Sequence, residues 1–127
     1  MTIAQCALME FGERHIVMIP NKANLERVMQ SNTIYCNALF NKKMWEAVGG
    51  YDESDTMRLG FEDWEFWVRL LAHGCHVKTS DFIALRYRVH ANNMTKETTH
   101  PNRQKLYDYI YEKHKDLYEA KNLKIAK

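Results

Sequence analysis

Hydrophobic and polar residues divide this chain into short blocks, each with the period of one kind of element. Ile3 to Phe11 is apolar and carries few turn residues, which predicts a strand buried over most of its length. Gly12-Glu13-Arg14 reads as a turn, and His15 to Ile19 as a second short strand ended by Pro20 and Asn21. Asn24 stands where an N-cap belongs, ahead of a short helix through Gln30. Asn32 to Phe40, with small and β-branched residues, predicts a strand or an extended loop. Lys42 to Val48 predicts one or two helical turns with Met44, Trp45 and Val48 inward, stopped by Gly49-Gly50.

The clearest helical period runs from Phe61 to His73. Glu62, Glu65, Arg69 and His73 share one face, with Glu65 and Arg69 at the favourable i,i+4 spacing. Trp64, Trp67, Val68 and Leu71 form the opposite face, and Gly74 follows as a C′ residue. Cys75–Thr79 and Phe82–Val89 then read as two strands. In the second, Ile83, Leu85, Tyr87 and Val89 alternate with Ala84, Arg86, Arg88 and His90. Asn92–Thr99 is a polar loop. Pro101 opens a last helix with Leu106, Tyr107, Ile110, Tyr111, His114, Leu117 and Tyr118 at helical spacing, and a frayed tail is expected beyond Ala120. The sum is a mixed α/β (α+β) single domain over residues 1–120.

Composition narrows the classes. At 127 residues, 46% hydrophobic and 27% charged, the chain can bury a core. A formal net charge of +2 gives no ground for a nucleic-acid partner. The basic segment after Arg103 is mixed in sign and reads as a solvated helix face. Cys6, Cys36 and Cys75 form no C-x-x-C pair and are odd in number, which favours a reducing, cytoplasmic setting over a disulfide framework. Each lies in an apolar stretch and is expected to be a small buried hydrophobe, although His76 beside Cys75 leaves a catalytic thiol open. No apolar run approaches the ~20 residues that span a bilayer, and the start shows no signal-peptide pattern.

Two clusters could carry chemistry. Asp63 lies in the first turn of the 61–73 helix, where unpaired N–H groups and the helix dipole favour a carboxylate. At about 100° per residue it falls beside Trp67 and Leu70, off the polar stripe. A carboxylate so held and walled by aromatics can act as a general base. The alternative is that Asp63 or Glu62 simply caps the helix. Arg86, Arg88 and His90 share one strand face and would suit a diphosphate or a metal–diphosphate group; a solvated strand face is the alternative. His90 has no partner at zinc-ligand spacing. P-loop, G-x-G-x-x-G, G-x-S-x-G and H-E-x-x-H patterns are all missing from the sequence.

Taken in order, several motifs form a recognisable series: Asn32-Thr33-Ile34, Ala38-Leu39-Phe40, Trp45-Glu46-x-Val48-Gly49-Gly50-Tyr51-Asp52, Gly60-x-Glu62-Asp63-Trp64-Glu65-Phe66-Trp67-x-Arg69-Leu70, Gly74 and Tyr87-Arg88-Val89-His90. Over roughly Ile3 to Thr95 the series resembles the C-terminal half of family 2 glycosyltransferases of the GT-A fold, especially bacterial enzymes of surface-polysaccharide synthesis. The resemblance implies inverting transfer of a hexosyl group from a nucleotide sugar to a saccharide or lipid-linked acceptor. Asp63 would be the catalytic base and Glu62 its catalytic partner. Gly49, Gly50, Tyr51, Asp52 and Trp64 would bind substrate with Arg86 and Arg88, and His90 would bind a divalent Mn or Mg ion. The Asp-x-Asp motif and the βαβ nucleotide-binding half of such enzymes are missing from this sequence, as is the Q-x-x-R-W of processive synthases. The resemblance therefore implies an acceptor-side part, inactive alone and without a cofactor of its own. Such a part would be cytoplasmic, free or peripheral to the inner membrane face, and a homo-oligomer through its uncovered edges. The alternative is a non-catalytic interaction or oligomerisation module derived from that fold.

Overall fold

A computed structural model describes residues 1–126. Its sheet has the order β2-β1-β3. The central strand β1 (Thr2–Gly12) pairs antiparallel with β2 (Val17–Met18) and parallel with β3 (His76–Val89). Parallel neighbours need a long crossover. Here it contains α1 (Leu25–Gln30), α2 (Lys42–Ala47), a 3-10 turn (Met57–Leu59) and α3 (Glu62–Ala72). After β3 come one π-helical turn (Thr95–Thr99), α4 (Arg103–Lys113) and α5 (Lys115–Lys121).

The burial of β1 follows the period of a strand and then slips. Ile3, Gln5 and Ala7 face inward, and so do Leu8 and Glu10, so the phase changes between Ala7 and Leu8. The pairing with β3 shifts at the same point. Cys6 faces Ser80, Ala7 faces Ile83 and Leu8 faces Leu85, leaving Asp81, Phe82 and Ala84 unpaired. The two strands expected over 75–79 and 82–89 are therefore one strand, bulged at the join. The polar run Thr79-Ser80-Asp81 suggests a break because the sequence does not reveal that the ladder resumes beyond the bulge.

Around α3 the core is thick. Trp64, Phe66, Trp67, Val68 and Leu70 are buried together with Ile3, Val28, Met29, Met44, Leu106, Ile110 and Tyr118. Phe40 meets Phe66 and Trp67 edge-on, with ring centroids 5.1 and 5.7 Å apart. Asn24 and Asn41 cap α1 and α2, their side chains accepting from the N–H groups of Arg27 and Lys43.

Four expectations are corrected. Trp45 is 37% exposed, because Gly50 folds back against its ring and takes the inward side. The 101–118 helix is two helices, broken at His114, whose backbone leaves helical geometry. Cys36 is exposed at a loop surface, while Cys75 is buried as expected. The tail does not fray within the described residues: Leu123 and Ile125 pack on the core, and the Ala126 N–H donates to the Gln30 carbonyl at 2.8 Å.

Candidate functional site

The start of α3 is set by two unusual backbone positions. Gly60 has φ +131°, and a Cβ there would overlap the Thr99 side chain, so only glycine fits. Phe61 follows at φ 60°, ψ 16°, in the left-handed region that bulky residues rarely occupy. Its ring stacks on Tyr107 at 5.7 Å and meets Trp64 edge-on at 5.3 Å, contacts that hold the conformation in place. The chain thus enters α3 abruptly at Glu62, with no side-chain cap, and Asp63 falls in the first turn.

Asp63 Oδ1 accepts from the Trp64 N–H at 2.7 Å and from Asn32 Nδ2 at 3.4 Å. No hydrogen bond reaches Oδ2 among the described residues. Burial, then the adjacent Glu62 charge, push the carboxyl above its ordinary pKa, against the lowering effect of these hydrogen bonds. Asp63 lines a pocket of about 240 Å³ between the sheet and the 32–37 loop, where Leu8, Glu10, Met18, Ile34, Leu85 and Tyr87 also lie. Glu62 borders a different hollow, of about 410 Å³, with Tyr51, Asp52, Arg58 and Met94. The two acids of the pair therefore serve two adjoining spaces. A base with one oxygen anchored and one unbonded, in a partly desolvated pocket, suits removal of a proton from a hydroxyl.

The Gly49–Asp52 turn is brought to this pair by ion pairs. Gly50 has φ +75°, and a Cβ there would meet the Trp45 ring at 2.8 Å, so its role is backbone geometry. Arg69 Nη1 donates to the carbonyls of Val48 and Gly50 at 2.7 and 2.6 Å. Its Nε and Nη2 hold Glu65, which is 0% exposed rather than on a solvent face as expected. Glu65 also contacts His114 Nε2 at 2.8 Å and Lys113 Nζ at 3.0 Å. Burial alone would raise its pKa, but the hydrogen bonds from His114, Arg69 and Lys113 prevail and bring it down to about 2.

Of the residues expected to bind substrate, Tyr51 borders the Glu62 hollow. It is 38% exposed, packs on Phe66 at 4.5 Å, and its phenol is raised by burial and then by the Asp63 and Glu62 charges. Gly49 and Gly50 shape the turn that carries it. The Asp52 carboxylate is committed within the chain, to the Ser54 N–H at 2.9 Å, Tyr109 OH at 2.8 Å and Lys113 Nζ at 2.6 Å. Burial opposes its ionisation, but these partners hold it well below the ordinary range. Trp64 is 2% exposed and its Nε1 donates to the Val28 carbonyl, so it belongs to the core. Arg86 and Arg88 lie over the Phe11 ring at 4.9 and 5.5 Å, whereas Leu85 and Tyr87 line the Asp63 pocket. Strand alternation therefore turns the two guanidiniums away from that pocket. His90 follows the end of β3, and its carbonyl accepts from Asn93 Nδ2 at 3.2 Å. No three His, Cys, Asp or Glu side chains converge as metal ligands among the described residues. The residues present do not by themselves fit a divalent ion.

Sequence reasoning missed Asn32 as a partner of Asp63, and Glu65, Tyr109, Lys113 and His114 as a network. The i,i+4 spacing of Tyr109 and Lys113 was a signal for one helix face, but nothing in it pointed to Asp52, 57 positions away from Tyr109.

The family described as "Glycosyltransferase like family 2" matches residues 16–116. The chain belongs to this family. No curated protein and no solved structure matches it. No helix among the described residues is long and apolar enough to cross a membrane.

Proposed function

We propose that the chain is the acceptor-side part of an inverting glycosyltransferase, in which Asp63 deprotonates the acceptor hydroxyl as it attacks the anomeric carbon of a nucleotide-linked hexose. The observation that carries this reading is Asp63 itself: first turn of α3, one oxygen anchored, the other unbonded in a pocket. The acceptor is a saccharide or a lipid-linked saccharide of the bacterial surface-polysaccharide type. Leu8, Met18, Ile34 and Leu85 give the pocket an apolar wall suited to such a group. The nucleotide sugar would sit against the Glu62 side, in the hollow that Tyr51 also lines. His90 and a second half bearing an Asp-x-Asp motif would complete any Mn or Mg site. Association with the inner membrane face would come through the acceptor.

The reading is tested in an enzyme completed by a nucleotide-binding half. Asp63→Asn should lower turnover by roughly a hundredfold or more, the scale of general-base catalysis, and the product should have the inverted anomeric configuration. Unchanged turnover, or retention, would remove Asp63 from the role. By itself the chain should bind no uridine or guanosine diphosphate sugar in a metal-dependent way by calorimetry.

A second reading, self-association as an interaction module, is favoured by the free side of β3. Among the described residues that strand pairs only with β1, and Phe82, Ile83 and Tyr87 on it are exposed, as are Ile16 to Ile19 at the opposite edge. The central strand β1 is paired on both sides and offers no free edge.

A further inference from the structure

Two buried or half-buried carboxylates, Asp52 and Glu65, take no part in the chemistry assigned to Asp63, and the same helix holds both. Lys113 of α4 bridges them, while Tyr109 reaches Asp52 and His114 reaches Glu65. Beyond Glu65, Arg69 extends the chain of contacts to the carbonyls of Val48 and Gly50. The turn from Val48 to Asp52 is thus pinned at its start by a guanidinium from α3 and at its end by an ammonium and a phenol from α4. Both cations meet at Glu65. Between the pins lie two glycines with positive φ, whose N–H groups donate to the Glu46 and Trp45 carbonyls at 3.1 and 2.8 Å, and Tyr51, which borders the Glu62 hollow together with Asp52. Two carboxylates face two permanent cations, so the charges balance, and a neutral His114 can supply its contact as an Nε2–H donor. Burial disfavours the Lys113 ammonium, but its bonds to Asp52 and Glu65 raise it, so it stays charged.

We propose that Tyr109 and Lys113 of α4, with His114 at the break that follows it, are positioning residues for the Glu62–Asp63 site: acting through Asp52 and Glu65, and through Arg69 beyond Glu65, they fix the turn that holds Tyr51 beside the acidic pair. The use of that placement in sugar transfer rests on the reading of Asp63 given above; the placement itself does not. A helix whose residues border neither the Asp63 pocket nor the Glu62 hollow is in this way part of the site.

The test reads the distance between Tyr51 and Asp63 through their charges. The chain is labelled with ¹³C at the tyrosine ring carbon bearing oxygen, Tyr51 is assigned with Tyr51→Phe, and its phenol is titrated by NMR. In the parent chain, Asp63→Asn should lower the Tyr51 midpoint by on the order of half a pH unit or more, as loss of a nearby like charge requires. In Lys113→Met, the same Asp63→Asn change should move Tyr51 by less than half as much, because the turn has swung away. Tyr109→Phe removes one oxygen from the network and keeps the ring. It should show the same loss of coupling in smaller measure, with the fold intact by circular dichroism. Undiminished Asp63–Tyr51 coupling in both folded variants would overturn the proposal. So would unfolding of both variants, which would make the network a determinant of the fold rather than of the turn. The titration needs no transfer activity. Its outcome is therefore independent of the glycosyltransferase reading, whose failure would show in the Asp63→Asn turnover instead.

Discussion

Replacing Glu65 by glutamine removes one negative charge from the centre of the α3–α4 network and almost no volume. In the parent, its carboxylate accepts from Arg69, Lys113 and His114 at 2.7 to 3.0 Å. Glutamine offers one carbonyl oxygen to these donors and turns an NH₂ toward the others. Lys113 is then left with Asp52 as its carboxylate, and Arg69 keeps only the Val48 and Gly50 carbonyls and the glutamine oxygen. Two routes give the magnitude. Breaking a buried ion pair by removing one partner costs about 3–5 kcal/mol. The lowering of Glu65 from 4.5 to about 2 corresponds to on the order of 3 kcal/mol at neutral pH. Glu65→Gln should therefore destabilise the chain by about 3 kcal/mol, or roughly 10 °C in Tm for a domain of this size. Urea unfolding followed by fluorescence measures it directly, since Trp64 and Trp67 are in the core. A depressed folded-state pKa places its stabilisation above the unfolded value. The gap between parent and variant should thus be full above about pH 4.5 and shrink as pH falls toward about 2. A difference under about 1 kcal/mol at pH 7, or a gap that does not narrow in acid, would refute the reasoning.

Other substitutions separate structural from functional groups. Because Asp63 is raised rather than lowered, its ionised form is favoured less in the folded chain than in the unfolded one, and Asp63→Asn should leave Tm at pH 7 unchanged or higher. Trp64→Phe should cost about 1–2 kcal/mol in urea unfolding through the lost bond to Val28 and should leave KM unaltered in a completed enzyme. Gly50→Ala combines positive φ with a clash on Trp45 and should cost more than about 1 kcal/mol by thermal melting. Light scattering at micromolar concentration should show a dimer or larger species, and Phe82→Lys should dissociate it; a monodisperse monomer of the parent would count against self-association.

Much of the fold was legible in the sequence because its elements are short and clearly bounded. Asn24 is a side-chain cap, the Gly49-Gly50 pair ends α2, and the aromatic period of α3 places Trp64 and Trp67 in the core. What escaped depends on contacts distant in the chain. Glu65 and Arg69 looked like a solvent-facing pair because i,i+4 spacing says nothing of what covers it, and the cover comes from Lys113 and His114. The break at His114 follows the same logic, since its ring serves Glu65 rather than the helix period. The bulge in β3 was hidden because alternation within Phe82–Val89 is regular on its own, and the slip exists only relative to β1. At the start of α3, Asp63 stood out in the sequence by its position off the polar stripe. The division of Glu62 and Asp63 between two hollows was not visible there, because it depends on Phe61 in the left-handed region.

The central claim is that Asp63 removes the acceptor proton, and the pH dependence of kcat/KM in the completed enzyme tests it most directly. The parent should lose activity in acid with a midpoint above the ordinary aspartate value of 3.8, because burial and Glu62 raise Asp63. In Asp63→Asn that acid limb should vanish, leaving a rate roughly a hundredfold or more below the parent's plateau. The same acid limb persisting in Asp63→Asn at near-parental rates would contradict the account.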